Sequence, residues 1–262
     1  MSDISLTAAV LLCVAAALAG WIDAVVGGGG LLLLPALLIG LPDSSPTYAL
    51  GTNKAVAVTG TSIAAVTYAR KAPLDRRLAL RLGGLALLAA AGGALFASAV
   101  SKEALQPLIM VVLLGVAGFV VLRPRFGLTP DGTAPRVPSR RRTLGALLLI
   151  GVGIGFYDGL IGPGTGTFLV IGLVGLLHMS MLRATATAKI VNVGTNLGAL
   201  AVFAAHGTVL WQLAPAMAVF NMAGAWTGAR MALTRGNTFI RAVLLTVVTA
   251  LVARLAYDQW LS

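Results

Sequence analysis

The chain has 262 residues, of which 58% are hydrophobic and only 10% are charged, and its formal net charge is +11. A water-soluble globular domain carries about 25% charged residues, so this composition excludes that class. The positive charge does not indicate nucleic-acid binding either, because the arginines are concentrated in connecting loops, as in the cytoplasmic loops of membrane proteins. The sequence therefore predicts a membrane protein with no nucleic-acid partner.

Apolar stretches recur along the chain, each close to the roughly 20 residues that a helix needs to cross a bilayer. Two of them, residues 24–41 and 159–177, are interrupted by glycine. The uninterrupted stretches are 5–22, 49–69, 78–100, 104–122, 143–157, 184–205, 211–233 and 239–260. We predict an all-α polytopic membrane protein with about 8–10 transmembrane segments. Its expected location is the cell (inner) membrane, with the lipid bilayer as its partner.

The two halves of the chain are related by a shift of 135 residues. This shift needs no gap and aligns identical residues of the two halves. The aligned pairs include Gly20 and Gly155, Asp23 and Asp158, Gly27 and Gly162, Gly29 and Gly164, Thr52 and Thr187, and Lys54 and Lys189. The pattern predicts one transport domain built from two homologous transmembrane repeats, residues 1–122 and residues 143–262.

A basic segment, residues 123–142, joins the repeats. It is rich in Pro, Gly and Arg, which predicts a flexible linker on the cytoplasmic side. Loop 70–77 is also basic, whereas its counterpart, 205–212, has no Lys or Arg, so we expect these two loops on opposite sides of the membrane. This predicts inverted repeats, each with five crossings, and both termini outside. The alternative is that 24–41 and 159–177 are re-entrant, which gives four crossings per repeat and parallel repeats.

Ionisable residues occur in or at the mouth of apolar segments in both repeats. They are Asp23 and Lys54 in the first repeat and Asp158 and Lys189 in the second. Each costs about 2.5–3.5 kcal/mol at the bilayer centre on insertion scales, which favours a polar, water-accessible cavity over exposure to lipid. Two alternatives stay open. The residues form Asp–Lys bridges that only hold the repeats together, or the aspartates lie at the membrane surface.

The runs "VVGGGGLLLLP" and "LIGPGTGTFLV" predict helices that break within the membrane. Glycine costs about 1 kcal/mol in a helix interior and proline about 3 kcal/mol. A helix that restarts after such a break offers unpaired N–H groups and a positive dipole end, which together suit an anion. The candidate donors are Gly28, Gly29, Gly30, Gly164, Thr165, Gly166 and Thr167. The alternative is that these glycines serve close helix packing.

A polar stripe follows each glycine-rich run. In the second repeat its members recur at intervals of four, three and four residues, which places them on one helix face. They are Thr185, Lys189, Asn192 and Asn196, and Lys54 and Thr61 mark the same stripe in the first repeat. Such a stripe is expected to face the bundle interior, either to line a site or to join helices by hydrogen bonds.

Together these motifs resemble the TauE/SafE family of sulfite and organosulfonate exporters, over nearly the whole chain. The matching residues are Asp23, Gly27 to Gly30, Pro35, Thr52, Asn53 and Lys54, and then Asp158, Gly162, Gly164, Thr187, Lys189, Asn192 and Asn196. The second repeat departs from the first at Pro163, which replaces a glycine, and at Val170, which stands where the first repeat has Pro35. The repeats are therefore unequal, and we do not expect a fully symmetric site.

The resemblance implies a transporter that exports a small anion such as sulfite, sulfoacetate or thiosulfate, and not an enzyme. We expect the two broken segments to meet near the membrane midplane, where Lys54, Lys189 and the helix N-termini bind the anion. The expected substrate-binding set also includes Thr52, Asn53, Asn192 and Asn196. Asp23 and Asp158 are expected to orient the lysines or to carry a coupling proton.

The main alternative is a transporter or channel for a cation, Na⁺ or a metal ion, that uses the paired aspartates; the intramembrane lysines argue against it. A membrane enzyme or scaffold is a third class, but no nucleophile–base grouping is found. His178 and His206 have no partner at metal-ligand spacing. We therefore predict no catalytic residue, no metal site and no cofactor. The sequence leaves open the coupling ion, proton or sodium, and a homo-oligomeric state.

Overall fold

The computed structural model describes residues 6–41, 44–101, 103–105, 107–109, 111 and 140–260. The regular elements named in these ranges are helices, and those of the first half are α1 (Leu6–Val26), α2 (Gly29–Gly40), α3 (Pro46–Ala69) and α4 (Arg76–Ala99). Most of the predicted segment 104–122 and residues 123–139 of the predicted linker lie outside the described residues. The last three linker residues, 140–142, belong to a helix.

The second half begins with α5 (Arg140–Ala146), which continues through a π-helix, Leu147–Ile154, into α6 (Gly155–Leu160). It is followed by α7 (Thr165–Leu177), α8 (Met181–Ala205) and α9 (Ala214–Trp260), and α9 is interrupted at Gly236 with φ 69° and ψ −160°. The helix bounds follow the offset seen in the sequence. Adding 135 to the ends of α3 gives 181 and 204, and α8 spans residues 181–205.

Local sequence fixes where three helices begin. Pro46 occupies the first turn of α3, where its missing N–H is not needed. The Asp75 side chain caps α4 by accepting a hydrogen bond from the N–H of Leu78 at 3.1 Å. The Ser180 hydroxyl caps α8 in the same way, accepting from the N–H of Arg183 at 3.4 Å. Each cap satisfies an N–H group that the first helical turn leaves unpaired.

Four stretches of the described chain are long and apolar enough to cross a membrane: α1, α4, residues 141–160 and α8. Their outer faces carry exposed leucines, such as Leu88, which is 69% exposed, and this is the surface that lipid covers. The helices α2 and α7 are apolar as well but have only 12 and 13 residues. At 1.5 Å per residue they are shorter than the roughly 30 Å hydrocarbon core. The prediction of an all-α, multi-pass membrane protein is confirmed.

The two halves pack against each other reciprocally. In the first half α1 contacts α9 of the second, where the Asn221 side chain donates to the main-chain oxygen of Ala16 at 2.8 Å. Conversely, α4 of the first half packs on α6 and α8, with Gly159 lying directly against the backbone of Ala90. The first helix of each half therefore packs against the fourth helix of the other half.

The centre of the molecule is the crossing of α3 and α8. Near the middle of α3, Thr61 accepts a hydrogen bond from the Asn196 side chain at 3.4 Å. Near the start of α3, Gly51 lies against Phe203, close to the end of α8. The start of one helix therefore meets the end of the other, so the two equivalent helices run antiparallel.

The short helix α2 turns back along α1. Its first residue, Gly29, lies against Asp23, near the end of α1, and its last residue, Gly40, lies against Leu12. This hairpin returns the chain toward the level where α1 began, and α3 starts from there.

Candidate functional site

The chain reverses at glycines in both halves, and the two turns touch. Gly27 has a φ of 81°, and its N–H bonds the main-chain oxygen of Asp23 at 2.8 Å. In the second half Gly162 and Gly164 have φ values of 89° and 76°. These left-handed conformations favour glycine. A Cβ on Gly27 would overlap the backbone of Gly166, so the close approach of the two turns also requires glycine.

A helix starts directly after each turn. The residue before α2 is Gly28, the residue before α7 is Gly164, and neither supplies a side-chain cap. The first N–H groups of an α-helix have no partner within the helix. Main-chain oxygens accept from two of them, Leu31 N–H to Gly28 at 3.1 Å and Thr165 N–H to Gly162 at 3.3 Å, and the remaining N–H groups of the two first turns are donors that a ligand or water can bind.

The hydroxyl groups at the second turn have a different role from the one expected. The Thr165 hydroxyl donates to the main-chain oxygen of Gly162 at 2.7 Å. The Thr167 hydroxyl donates to the main-chain oxygen of Val26 at 2.8 Å, which ties the second turn to the end of α1. In this structure both hydroxyls hold the turns in place.

The four ionisable residues form two ion pairs, each joining the two halves. Lys54 Nζ lies 2.9 Å from Asp158 Oδ2, and Lys189 Nζ lies 3.0 Å from Asp23 Oδ2. The second ammonium also donates to the main-chain oxygen of Asp23, whereas the first pair is in contact without the alignment of a hydrogen bond. The formal charges of the four groups cancel. The bridging role that the sequence left open is therefore present in the geometry.

A small cavity of about 30 Å³ lies between the two turns and the central helices. This is space for about two water molecules. The predicted site residues that line it are Asp23, Gly29, Gly30, Asn53, Lys54, Asp158, Thr165, Gly166, Asn192 and Asn196. The predicted site residues outside its lining are Gly28, Thr52, Gly164, Thr167 and Lys189. Of the two lysines, only Lys54 faces the cavity.

The lining also contains residues that were not predicted as site residues: Ala19, Gly27, Leu33, Ala57, Thr61, Gly162 and Asn221. Asn221 is the informative one, because it is a buried amide from α9 and belongs to none of the recognised motifs. It could have been found by the criterion that identified the lysines, since it is a polar residue inside the apolar stretch 211–233.

Four of the six neutral polar side chains that line the cavity are asparagines. Asn196 binds Thr61, and the Asn192 Oδ1 accepts from the Thr195 hydroxyl at 3.2 Å. Asn53 differs from them, since it is 5% exposed and its Oδ1 is buried without a hydrogen-bond partner in the described part of the chain. Among the described lining residues, Asn53 Oδ1 is therefore a neutral buried acceptor without a hydrogen bond, whereas Asp158 Oδ2 is balanced by its contact with the Lys54 ammonium.

Comparison with known proteins identifies the family of this chain. The family model described as sulfite exporter TauE/SafE matches residues 12–255. A probable membrane transporter protein of Sinorhizobium, ORF9, is 38% identical over 98% of this chain and 96% of its own length. A probable membrane transporter protein of Haemophilus influenzae is 33% identical over 96% of this chain and 95% of its own length. The probable membrane transporter protein YfcA of Escherichia coli K12 is 32% identical over 93% and 88%. No solved structure gives a significant match. The chain therefore belongs to the sulfite exporter TauE/SafE family.

Proposed function

We propose that this membrane transporter moves a small sulfur-containing oxyanion, such as sulfite, a sulfonate like sulfoacetate, or thiosulfate, out of the cell. The observation that carries the proposal is the position of Lys54, whose buried ammonium lines the cavity beside the uncapped starts of α2 and α7. An ammonium combined with the N–H groups of two helix starts is a suitable donor set for an oxyanion. The family description supports the sulfur-containing substrate.

The proposal includes inverted repeats. The antiparallel crossing of α3 and α8 supports them, because equivalent helices run in opposite directions when a two-fold axis lies in the membrane plane. The arginines of segment 123–142 support a cytoplasmic linker. On this model α2 and α7 are short segments that enter from opposite sides and bring their N-termini to the midplane.

The small volume of the cavity supports a closed state of the transporter. Sulfite has four heavy atoms, whereas the cavity has space for about two waters. Substrate entry therefore requires the elements around the cavity to separate. The two cross-repeat ion pairs lie where such a separation would occur, since each joins a central helix of one half to a turn of the other.

The aspartates are assigned to orientation of the lysines in this proposal. Each carboxylate contacts an ammonium, which holds that ammonium in one place. The same contacts disfavour the cation pathway, because both carboxylates are already neutralised by a lysine. A coupling proton or sodium ion and a homo-oligomeric assembly remain compatible with this assignment.

Purified protein in proteoliposomes tests the proposal. We expect saturable flux of at least one of sulfite, sulfoacetate and thiosulfate, and loss of that flux in Lys54→Ala. Thr59→Val is a suitable control, because Thr59 also lies on α3 but bonds the main-chain oxygen of Val56 at 2.7 Å and does not line the cavity. Flux of sodium with no flux of any sulfur oxyanion would overturn the proposal.

A further inference from the structure

Asn53 presents a polar atom that no described residue satisfies. The residue is 5% exposed, it lines the cavity, and its Oδ1 is buried without a hydrogen-bond partner. A carbonyl oxygen of an amide side chain can only accept, so it needs a donor. Lys54 is the next residue on α3, but its ammonium is directed to Asp158. No described residue supplies this donor, so a molecule in the cavity supplies it: water in the closed state, or the ligand when the site is loaded.

The charge of the cavity gives an independent constraint. The two ammonium groups and two carboxylates of the ion pairs already balance, so the cavity has no excess positive charge. An anion brought into this buried site adds its whole charge, and the same few helix-start donors must stabilise each further unit of buried charge. A singly charged anion is therefore accommodated more easily than a doubly charged one.

We infer that the substrate is a singly charged oxyanion that carries one hydrogen-bond donor, and that Asn53 is the residue that recognises this donor. The inference rests on the proposed function and names the charge and hydrogen-bonding class of its substrate. The hydrogen form of sulfite and a hydroxyl-bearing sulfonate belong to this class. Sulfate, thiosulfate, sulfoacetate and sulfonates with purely aliphatic chains do not, so the inference narrows the substrates of the proposed function.

The recognition is asymmetric between the halves. The position equivalent to Asn53 in the second half is Ala188, which is fully buried in an apolar cluster. The amides that the second half contributes, Asn192, Asn196 and Asn221, each have a hydrogen-bond partner. On the second-half side, Asp158 Oδ2 is balanced by the Lys54 ammonium, which leaves Asn53 Oδ1 as the neutral acceptor that requires a donor among the described lining residues, so the substrate binds with its hydrogen toward α3.

Two sulfonates of similar size separate the donor from the charge. Isethionate and 1-propanesulfonate both carry one negative charge, and they differ by a hydroxyl in place of a methyl group. We expect wild-type protein in detergent to bind isethionate roughly 5- to 100-fold more tightly than 1-propanesulfonate, since an unmatched buried acceptor is the difference. Sulfate, which is doubly charged and has no donor, is expected to bind more weakly than either.

The variant Asn53→Leu removes the amide at similar size. We expect the ratio of the two affinities to fall close to one, mainly through weaker binding of isethionate, while Thr59→Val keeps the wild-type ratio. If Asn53→Leu does not fold, the ratio of the two affinities in the wild-type protein still tests whether the site requires a donor. Equal wild-type affinity for both sulfonates, or an unchanged ratio in Asn53→Leu, would overturn the role of Asn53 while leaving anion transport intact. Failure of the proposed function would look different, since no sulfur oxyanion would bind at all.

Discussion

The two ion pairs join equivalent residues of the two halves, yet they differ in burial and in access to the cavity. In the pair of Lys54 with Asp158 the side chains are 2% and 3% exposed. In the pair of Lys189 with Asp23 the lysine is 1% exposed but the aspartate is 16% exposed. Lys54 lines the cavity, whereas Lys189 is drawn away to the backbone at the end of α1. Two lysines at equivalent positions of the sequence therefore differ in placement, since one lines the cavity and the other lies outside its lining.

The turns beside the two aspartates also differ in their hydrogen bonds. The first turn has glycine at positions 27 and 28 and leaves the main-chain oxygen of Asp23 available to Lys189. The second turn contains Pro163, whose main-chain oxygen accepts a hydrogen bond from the Tyr157 hydroxyl at 2.6 Å. Lys54 contacts the carboxylate of Asp158 at 2.9 Å, whereas Lys189 contacts both the carboxylate and the main-chain oxygen of Asp23.

The largest expected effect tests whether the halves are inverted. Lys71 and His206 are exposed loop residues that lie 135 positions apart. In a Cys13→Ala background, we expect Lys71→Cys to react in intact cells only with membrane-permeant thiol reagents, and His206→Cys to react also with impermeant ones. The reason is the difference in basic residues between the two loops. The readout is the labelled fraction of each variant. Labelling of both positions from the same side would contradict inverted repeats.

The second effect concerns stability and separates the two aspartates. Removing one partner of a buried pair leaves an uncompensated charge, which costs about 3–5 kcal/mol. We expect the free energy of unfolding of Asp158→Ala to fall by this order. The readout is the decrease in its thermal unfolding midpoint in detergent. The loss in Asp23→Ala should be smaller, because Asp23 is partly exposed and its main-chain oxygen still accepts from Lys189. Asp75→Asn is the control, since it removes an exposed carboxylate and Asn caps a helix equally well. Equal losses in both alanine variants would show that the burial difference has no energetic consequence.

Much of this site was predictable from the sequence, because charge inside an apolar segment is costly wherever it occurs. Lys54 and Asp158 were found by that criterion alone. Their pairing could not be predicted, since a repeated motif does not say whether each lysine meets the aspartate of its own half or of the other. The hydrogen bond from the Thr167 hydroxyl to the main-chain oxygen of Val26 could not be predicted either, because it depends on how closely the two turns approach in space. The helices followed from composition, whereas the direction in which α2 folds back along α1 depends on the non-helical backbone of Gly27 and Gly28.

The third effect concerns anion binding and separates the two lysines. The sequence alone predicts the same loss for Lys54→Ala and Lys189→Ala, and the cavity sharpens this prediction. Losing a charge-assisted contact costs about 1.5–3 kcal/mol, so we expect Lys54→Ala to weaken anion binding roughly 10- to 150-fold. Lys189→Ala should weaken it less, because Lys189 does not line the cavity. Isothermal titration with the best substrate measures both.

Lys54→Arg tests the geometry of that contact. We expect poor rescue, because a planar guanidinium does not replace a compact ammonium in a cavity of about 30 Å³. Binding close to wild type in both alanine variants would leave the lysines with a purely structural role. A larger loss in Lys189→Ala than in Lys54→Ala would reverse the comparison between the two halves.

The smallest effect is expected for Asp23→Asn, and it distinguishes orientation of a lysine from proton coupling. A partly exposed ion pair contributes about 0.2–1 kcal/mol, and Lys189 keeps its bond to the main-chain oxygen of residue 23, so binding should weaken at most about fivefold. If Asp23 only orients Lys189, this loss is the same at every pH, and any dependence of transport on a proton gradient is retained. If Asp23 carries the proton, Asn leaves anion counterflow intact but abolishes gradient-driven net flux. We expect the first outcome, since the carboxylate is held by an ammonium at 3.0 Å.

Comparing counterflow with net flux in proteoliposomes for Asp23→Asn and Asp158→Asn decides between the two roles. Retained counterflow without gradient-driven flux in either variant would make that aspartate the coupling residue.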